Sequence, residues 1–168
     1  MPRKSPGRGR GRGLRVRPPE SWYVPGKNQD RHHIKPRSRG GTDADGIVVL
    51  PKYIHKCWHM VFDGMMLREA HIFIDVLMQP GKWTYRNLLA ARRQIMMGQT
   101  ALVVPRGADH EGVVVLPMTI FQSWNKLFDG MRRHQVHAFV DAVMQSGLIW
   151  TFGKWEALRR QIMSGRFE

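Results

Sequence analysis

Four histidines stand at spacings that suit metal-assisted proton chemistry. His32 and His33 end a stretch with the pattern of a β-strand, and His55 and His59 follow on a predicted helix. Residues four apart share one face of a helix, so His55 and His59 point the same way. Imidazoles that converge from a strand and a helix are typical ligands of a divalent metal. A neutral imidazole also accepts a proton from water near pH 7.

The elements that position these histidines read as two strands followed by a helix. A segment ending in Gly40-Gly41 separates the first strand from the β-branched strand Ile47–Leu50. Pro51 suits the first turn of a helix. Apolar residues at three-and-four spacing between 54 and 62 give that helix one apolar face. The pattern predicts a ββα unit in which His32 faces the two helical histidines.

These residues together resemble a known family. The string His-His-Ile-Lys-Pro-Arg-Ser-Arg-Gly-Gly, an apolar strand and then His-x-x-x-His are similar to the HNH endonucleases, and more narrowly to a small variant without zinc-binding Cys pairs. The resemblance covers residues 28–64. It implies a metal held by His32 and His55, with His59 as a further ligand or phosphate contact, and His33 as the general base. It also implies phosphate contacts from the neighbouring cations, which are Arg31, Lys35, Arg37 and Arg39.

One position departs from the family pattern. The central Asn of the motif would lie nine residues before His55, where this chain has Gly46. In the family that Asn constrains the loop and helps to orient the base. Asp43 and Asp45 are close in sequence and are the candidates to replace it, either as ligands or by orienting His33. The resemblance implies a divalent metal such as Mg²⁺, Mn²⁺, Ni²⁺ or Zn²⁺, and the sequence fixes none of them.

The chain also contains an internal duplication. Gly46–Pro51 aligns with Gly112–Pro117 at an offset of 66, and one inserted residue shifts the offset to 67. The offset carries Trp58 onto Trp124 and continues to the last residues, so chance does not explain it. Each copy is predicted to hold a strand and three helices, with the strands at about 47–50 and 113–116, the second helices at about 67–78 and 133–145, and the third helices at about 84–97 and 152–163.

The second copy keeps the apolar frame and lacks the histidines. Phe121 and Asn125 stand where the first copy has His55 and His59. One copy alone has a thin core, so the two are expected to pack against each other. We therefore predict an α+β fold of two tandem HNH-like ββα-metal units, each followed by helices, in one pseudo-symmetric body. The predicted divisions are a basic arm at 1–26, the unit with the histidine cluster at 27–99, and the degenerate repeat at 100–168.

The charge of the chain points to a polyanionic partner. The net charge is +14, and residues 1–41 hold twelve Lys or Arg against two acidic residues. Nucleic acid, RNA or DNA, is the expected partner, because cation–phosphate contacts release condensed counterions. The Gly/Arg-rich arm cannot bury enough apolar surface to order itself and is predicted to be disordered until it meets phosphate. Its expected nucleic-acid contacts are Arg8, Arg10, Arg12, Arg15 and Arg17.

Other classes fit the sequence less well. No apolar run approaches the roughly 20 residues of a membrane span, and the N-terminus lacks the apolar region of a signal peptide. A single cysteine, Cys57, excludes an intramolecular disulfide and fits a reducing compartment. The expectation is an intracellular protein, in the cytoplasm or an organellar matrix, that is not secreted and binds no membrane.

Several further polar residues have structural interpretations. His71 and His137 match each other in the two copies, including the copy without a site, and are expected to be structural. Cys57 lies on the apolar face of its helix and is expected in the core. Arg92-Arg93 and their counterparts Arg159-Arg160 form either a solvated face or a phosphate-binding patch, and the sequence favours neither.

Two classes of function remain. The first is a metal-dependent HNH endonuclease that nicks or cleaves DNA, which the histidine spacing favours. The second is a nucleic-acid-binding protein on an HNH-like frame, with weakened or lost nuclease activity, as a structural component of a ribosome or another ribonucleoprotein. Gly46, the degenerate second copy and the Gly-Arg arm favour this second class. The sequence leans slightly toward the second for function and strongly toward the HNH family for the fold.

Overall fold

The computed structural model describes residues 27–99 and 112–165. Within them the fold is α+β, as predicted, with six helices and two small two-stranded sheets. None of these helices has the length and apolar character needed to cross a bilayer. The predicted arm at 1–26, which includes the five arginines expected to contact nucleic acid, and the segment around His110 lie outside the described residues. The elements in chain order are β1 (Gln29–His33), β2 (Ile47–Pro51), α1 (Lys52–Phe62), α2 (Leu67–Leu77), β3 (Gly81–Lys82), α3 (Tyr85–Met96), β4 (Val114–Val115), α4 (Met118–Phe128), α5 (Arg133–Gln145) and α6 (Phe152–Met163).

The first elements form the predicted hairpin and helix. β1 and β2 pair antiparallel, with His32 opposite Val48. Every residue of β2 is buried, in keeping with its continuous apolar sequence. Two short 3₁₀ turns, Arg37–Arg39 and Asp43–Asp45, shape the connection between the strands. Pro51 caps α1, and the buried face of α1 includes Cys57, which confirms its prediction as a core residue.

The two halves of the chain share one hydrophobic core. α1 packs on α4 and α2 packs on α5, and the buried side chains of both halves form a single cluster. The sheet contacts between the halves are reciprocal. In one, Trp83 N donates to Val115 O at 2.8 Å, and in the other Trp150 N donates to Val49 O, also at 2.8 Å. These residues correspond at the repeat offsets, so each half completes the short sheet of the other.

The matched histidines meet at this interface between the halves. His71 Nδ1 lies 2.6 Å from His137 Nδ1. Each Nε2 contacts a carboxylate of the other half, with His71 to Asp141 Oδ1 at 2.9 Å and His137 to Asp75 Oδ1 at 2.7 Å. A four-residue polar chain therefore joins α2 to α5, in agreement with the structural role expected for both histidines.

Two local expectations from the sequence are wrong. Arg92 is neither on a solvated face nor in a phosphate patch, because it is 7% exposed and donates to the carbonyls of Met60 and Val61 at the end of α1. The strand of the second copy, β4, is also shorter than the predicted 113–116. It spans only Val114–Val115 and pairs in parallel with β3. The residues that would supply a hairpin partner, 100–111, are outside the described ranges.

Candidate functional site

Three of the predicted metal ligands come together at one place. His32 reaches it from β1, and His55 and His59 reach it from successive turns of α1. One donor atom from each of the three lies within 4.8 Å of the others. The closest pair is His55 Nε2 and His59 Nε2, at 2.9 Å. Three nitrogen ligands on a tetrahedral ion stand about 3.3 Å apart, so small side-chain shifts would bring this cluster onto one metal.

The protonation of His32 suits a ligand. Its side chain is 7% exposed, and the ring stands edge-on to Trp58 with 5.6 Å between centroids. Burial, followed by the nearby charges of His55 and His59, lowers the pKa of His32 from 6.5 to about 3. The ring is therefore neutral at pH 7. Its Nδ1 is buried and makes no hydrogen bond with any described residue. An unpartnered buried nitrogen of this kind fits a metal ligand.

Asp30 positions the second ligand. Its Oδ2 lies 3.4 Å from His55 Nδ1, so the carboxylate accepts from that nitrogen and leaves Nε2 directed at His59. Carboxylates commonly orient metal-binding histidines in this way. Burial is the main cause of the lowered pKa of His55, with His59 adding to it and Asp30 opposing it. Sequence reasoning missed Asp30, although its place two residues before His32 on one strand puts both on the same face.

His33, the predicted general base, is held by Asp43. His33 Nε2 lies 2.9 Å from Asp43 Oδ1, and Arg31 Nη2 donates to Asp43 Oδ2 at 2.7 Å. The hydrogen bond from His33, followed by that from Arg31, lowers the pKa of Asp43 to about 2. An ionised carboxylate only accepts, so Nε2 of His33 carries the proton. Arg37 Nε donates toward the same nitrogen at 3.1 Å, a hydrogen bond that needs the opposite tautomer, so the shorter contact with the ionised Asp43 decides the assignment. The basic nitrogen of His33 is Nδ1.

The backbone at Gly46 explains why no Asn side chain stands there. Gly46 has a φ of +99°, and a Cβ atom added to it would lie 2.9 Å from Ile34 Cδ1. The positive φ strains any residue with a Cβ, whereas the close contact is with the flexible end of Ile34, which can shift. Asp43, in the 3₁₀ turn just before Gly46, supplies the contact to His33 instead. Asp45, the other residue considered as a replacement for the Asn, accepts hydrogen bonds from Thr42 N and Oγ1 and so caps its own 3₁₀ turn.

An open cavity of about 500 Å³ lies over the cluster. Arg31 and Arg37, two of the predicted phosphate contacts, line it together with the histidines. Arg39 does not, because its Nη1 donates to both carboxylate oxygens of Glu69 at 2.5 and 2.6 Å. The ion pair of Arg39 with Glu69 thus attaches the loop to α2. Lys35 lies on the same loop, and its charge adds to the hydrogen bonds from Thr42 that lower the pKa of Asp45.

The Asp63–Gly64 turn at the cavity wall differs from its counterpart in the second half. Asp63 has φ 49° and ψ −127°, whereas Asp129 has φ −47° and ψ 129°. The angles of Asp63 match a type II′ turn and those of Asp129 match a type II turn. The two turn types differ in the orientation of the central peptide. Asp63 is the one residue other than glycine with positive φ in the described ranges. The same Phe-Asp-Gly-Met sequence is therefore strained only where it borders the histidine cluster.

Residues 112–165 of the second half hold no equivalent site. At the positions of His55 and His59, α4 carries Phe121 and Asn125, which line a small cavity of about 180 Å³ with apolar neighbours. Among residues 27–99 and 112–165, the cluster of the first half is the one group of three His, Cys, Asp or Glu close enough to share a metal ion.

Comparison with known protein families, with curated protein sequences and with solved structures found no match to this chain.

Proposed function

We propose that this chain is a metal-dependent nuclease with an HNH-like site. The observation that carries the proposal is the convergence of His32, His55 and His59 within 4.8 Å, next to a histidine whose tautomer is fixed by a carboxylate. A structural core has no need for three imidazoles facing one another at the floor of an open basic cavity. Phosphodiester hydrolysis needs these parts, namely a ligand set with an open position, a base and cations for phosphate.

The residues divide the chemistry among them. His32, His55 and His59 would hold the metal, which when bound supplies positive charge against the charge that develops on the phosphate and leaving oxygen. Nδ1 of His33 takes the proton from the attacking water, and Asp43 stabilises the imidazolium that results. Arg31 and Arg37 neutralise the flanking phosphates at the cavity wall.

The proposal extends to the organisation of the chain. The repeat offsets, the matched helices and the reciprocal contacts between the halves support two tandem HNH-like units, at 27–99 and 100–168, in one pseudo-symmetric body. The second unit serves as a scaffold, since α4 packs on α1 and carries no ligand. The basic N-terminal arm adds affinity for nucleic acid.

A second candidate is a non-catalytic nucleic-acid-binding protein, such as a structural component of a ribonucleoprotein. The loss of the ligands from α4, with its packing retained, favours this candidate, because it shows that the frame persists in this chain without a site. Both candidates bind RNA or DNA. They differ in whether the histidine cluster binds a metal that supports cleavage.

The test uses the second half as a guide to the substitution. His59→Asn introduces the residue that the second half has at the same helical position. Metal binding is followed by Co²⁺ absorption and by calorimetry with Zn²⁺, Mn²⁺ and Ni²⁺. The full chain and the variant are then incubated with labelled DNA and RNA with each metal. We expect wild type to bind one ion per chain and to cleave, and His59→Asn to bind nucleic acid normally with weaker metal binding and slower cleavage.

Two other outcomes would refute the proposed nuclease site. If wild type binds nucleic acid but neither binds metal nor cleaves, the protein is the non-catalytic nucleic-acid-binding protein of the second candidate. Cleavage that is equally fast in wild type and His59→Asn would show that the activity does not come from this cluster.

A further inference from the structure

A pair of exposed aromatic rings lies at the start of α1, beyond the histidine cavity. Tyr53 is 40% exposed, and Phe152, the first residue of α6, is 53% exposed. Their ring centroids are 6.0 Å apart and the planes are tilted by 51°. With Asn28, Pro51 and Lys52 they line an open, mainly apolar cavity of about 600 Å³. Exposed aromatic surface of this kind, rimmed by polar residues, is typical of a binding site.

The outer face of α1 connects this aromatic pair to the metal cluster. Lys52, Lys56 and His59 lie within one side of the helix, since each residue turns by about 100°. Both lysines are exposed. Tyr53 and His59 are six residues apart, which is about 9 Å along the axis at 1.5 Å per residue. That distance matches two to three nucleotides at the roughly 3.4 Å spacing of a stacked strand.

The repeat-related position at the starts of α3 and α4 provides an internal comparison. Tyr85 of α3 corresponds to Phe152 and is 51% exposed, but the residue of α4 that corresponds to Tyr53 is Thr119. The face of α4 that corresponds to Lys52, Tyr53 and Lys56 carries no charge and no ring, its residues being Met118, Thr119 and Gln122. Both lysines and Tyr53 thus lie on the same helix as the ligands His55 and His59, and Phe152 of α6 completes the aromatic pair.

The charges around the pair also suit a nucleic-acid strand. Glu156 is the acidic group near Tyr53, and it is paired with Arg159 Nη1 at 3.3 Å. Burial is the main cause of the raised pKa of Tyr53, so its ring is a neutral phenol at pH 7. A neutral aromatic face with lysines beside it is the common arrangement for stacking a base and following its phosphates.

We propose that Tyr53 and Phe152 stack an unpaired base of a strand whose phosphates follow Lys52 and Lys56 to the histidine cluster. A base inside a duplex is already stacked on both sides and offers no free face. The substrate class is therefore single-stranded or locally unpaired nucleic acid. The cleavage part of this inference rests on the proposed nuclease function, whereas the binding part does not.

The test measures binding by the full chain without metal. Fluorescence anisotropy with EDTA compares an oligonucleotide of about twelve residues, unpaired, with the same sequence in a duplex. The variants are Tyr53→Ala and Phe152→Ala, with Tyr85→Ala as the matched control and Tyr53→Phe as the variant that keeps the ring. Thermal melting checks that each variant is folded.

We expect Tyr53→Ala and Phe152→Ala each to weaken single-strand binding by about 5- to 150-fold, the range for loss of one stacked base. Tyr85→Ala and Tyr53→Phe should bind like wild type. Lys52→Ala should lower the salt slope by about 0.7, the value per phosphate contact on a single strand.

Two results would overturn the proposal. One is equal single-strand affinity for Tyr53→Ala and Tyr85→Ala, and the other is binding of the duplex as tight as binding of the single strand. A chain that binds neither oligonucleotide also overturns it and points to a protein occupant of the groove. Because no metal is present, these results are independent of cleavage. Single-strand binding as expected here, together with no cleavage when metal is added, would refute the nuclease function but not the stacking site.

Discussion

Lowering the pH from 7.5 to 5.0 is expected to destabilise the metal-free fold through His32. In the folded chain the pKa of His32 is about 3, because the ring is buried beside two other imidazoles, whereas the ordinary value is 6.5. Between these values the unfolded chain binds a proton that the folded chain does not. Stability is therefore full above pH 6.5 and falls as the pH drops toward 3.

The size of the effect follows from the two pKa values. At pH 5.0 the unfolded histidine is protonated and the folded one is neutral, which is worth about 2 kcal/mol at 1.36 kcal/mol per pH unit. Asp43 does not contribute in this window, since its pKa is lowered to about 2 from 3.8 and its stabilisation is lost only below about pH 4.

Urea unfolding in EDTA at pH 7.5 and 5.0 measures this loss of stability. The variant His32→Gln keeps a polar side chain of similar size without the titration. It should lose about 2 kcal/mol less than wild type over the same pH change. An equal loss in wild type and His32→Gln would refute the reasoning, because it would mean that His32 is protonated in the folded chain.

Three further predictions concern other contacts of the fold and site. Asp43→Asn should slow cleavage by roughly 10- to 100-fold while nucleic-acid binding persists, in single-turnover assays, because the imidazolium of the base loses its carboxylate. Asp63→Gly should raise the free energy of unfolding by about 1 kcal/mol because it relieves a positive φ, whereas Asp129→Gly, at negative φ, should lower it, both by urea titration. Alanine at His71 and at His137 should give a coupling energy of about 1 kcal/mol or more in a double-mutant cycle; additive losses would show that the pair does not interact.

The sequence predicted the parts of the site that depend on local spacing. The i,i+4 pair His55 and His59 had to share a face of α1, and the strand before Pro51 had to turn back on β1. These rules place His32 near both helical histidines before any coordinates are known. The repeat likewise predicted which helices correspond, because the two copies share one pattern of apolar residues.

Contacts made across loops or between the halves could not be predicted in the same way. Whether Asp43 or Asp45 would face His33 depends on the 3₁₀ turn that they share, and the sequence left both open. Arg92 lies at helical spacing on the buried face of α3 with Leu88 and Ile95. That its guanidinium donates to the carbonyls at the end of α1 could not be predicted from the sequence. The contacts of His71 and His137 with aspartates of the other half do have a sequence signature, namely His-x-x-x-Asp at corresponding positions of both copies.

The most direct test of the nuclease function is single-turnover cleavage by wild type and His33→Ala on supercoiled plasmid and on structured RNA, at saturating Mg²⁺, Mn²⁺, Ni²⁺ or Zn²⁺. His134→Ala, an exposed histidine of the second half, is the control. We predict metal-dependent cleavage by wild type and by the control, and a loss of about 100-fold or more in His33→Ala with substrate binding unchanged. Substrate binding without cleavage under every metal, with no difference between wild type and His33→Ala, would contradict the nuclease function.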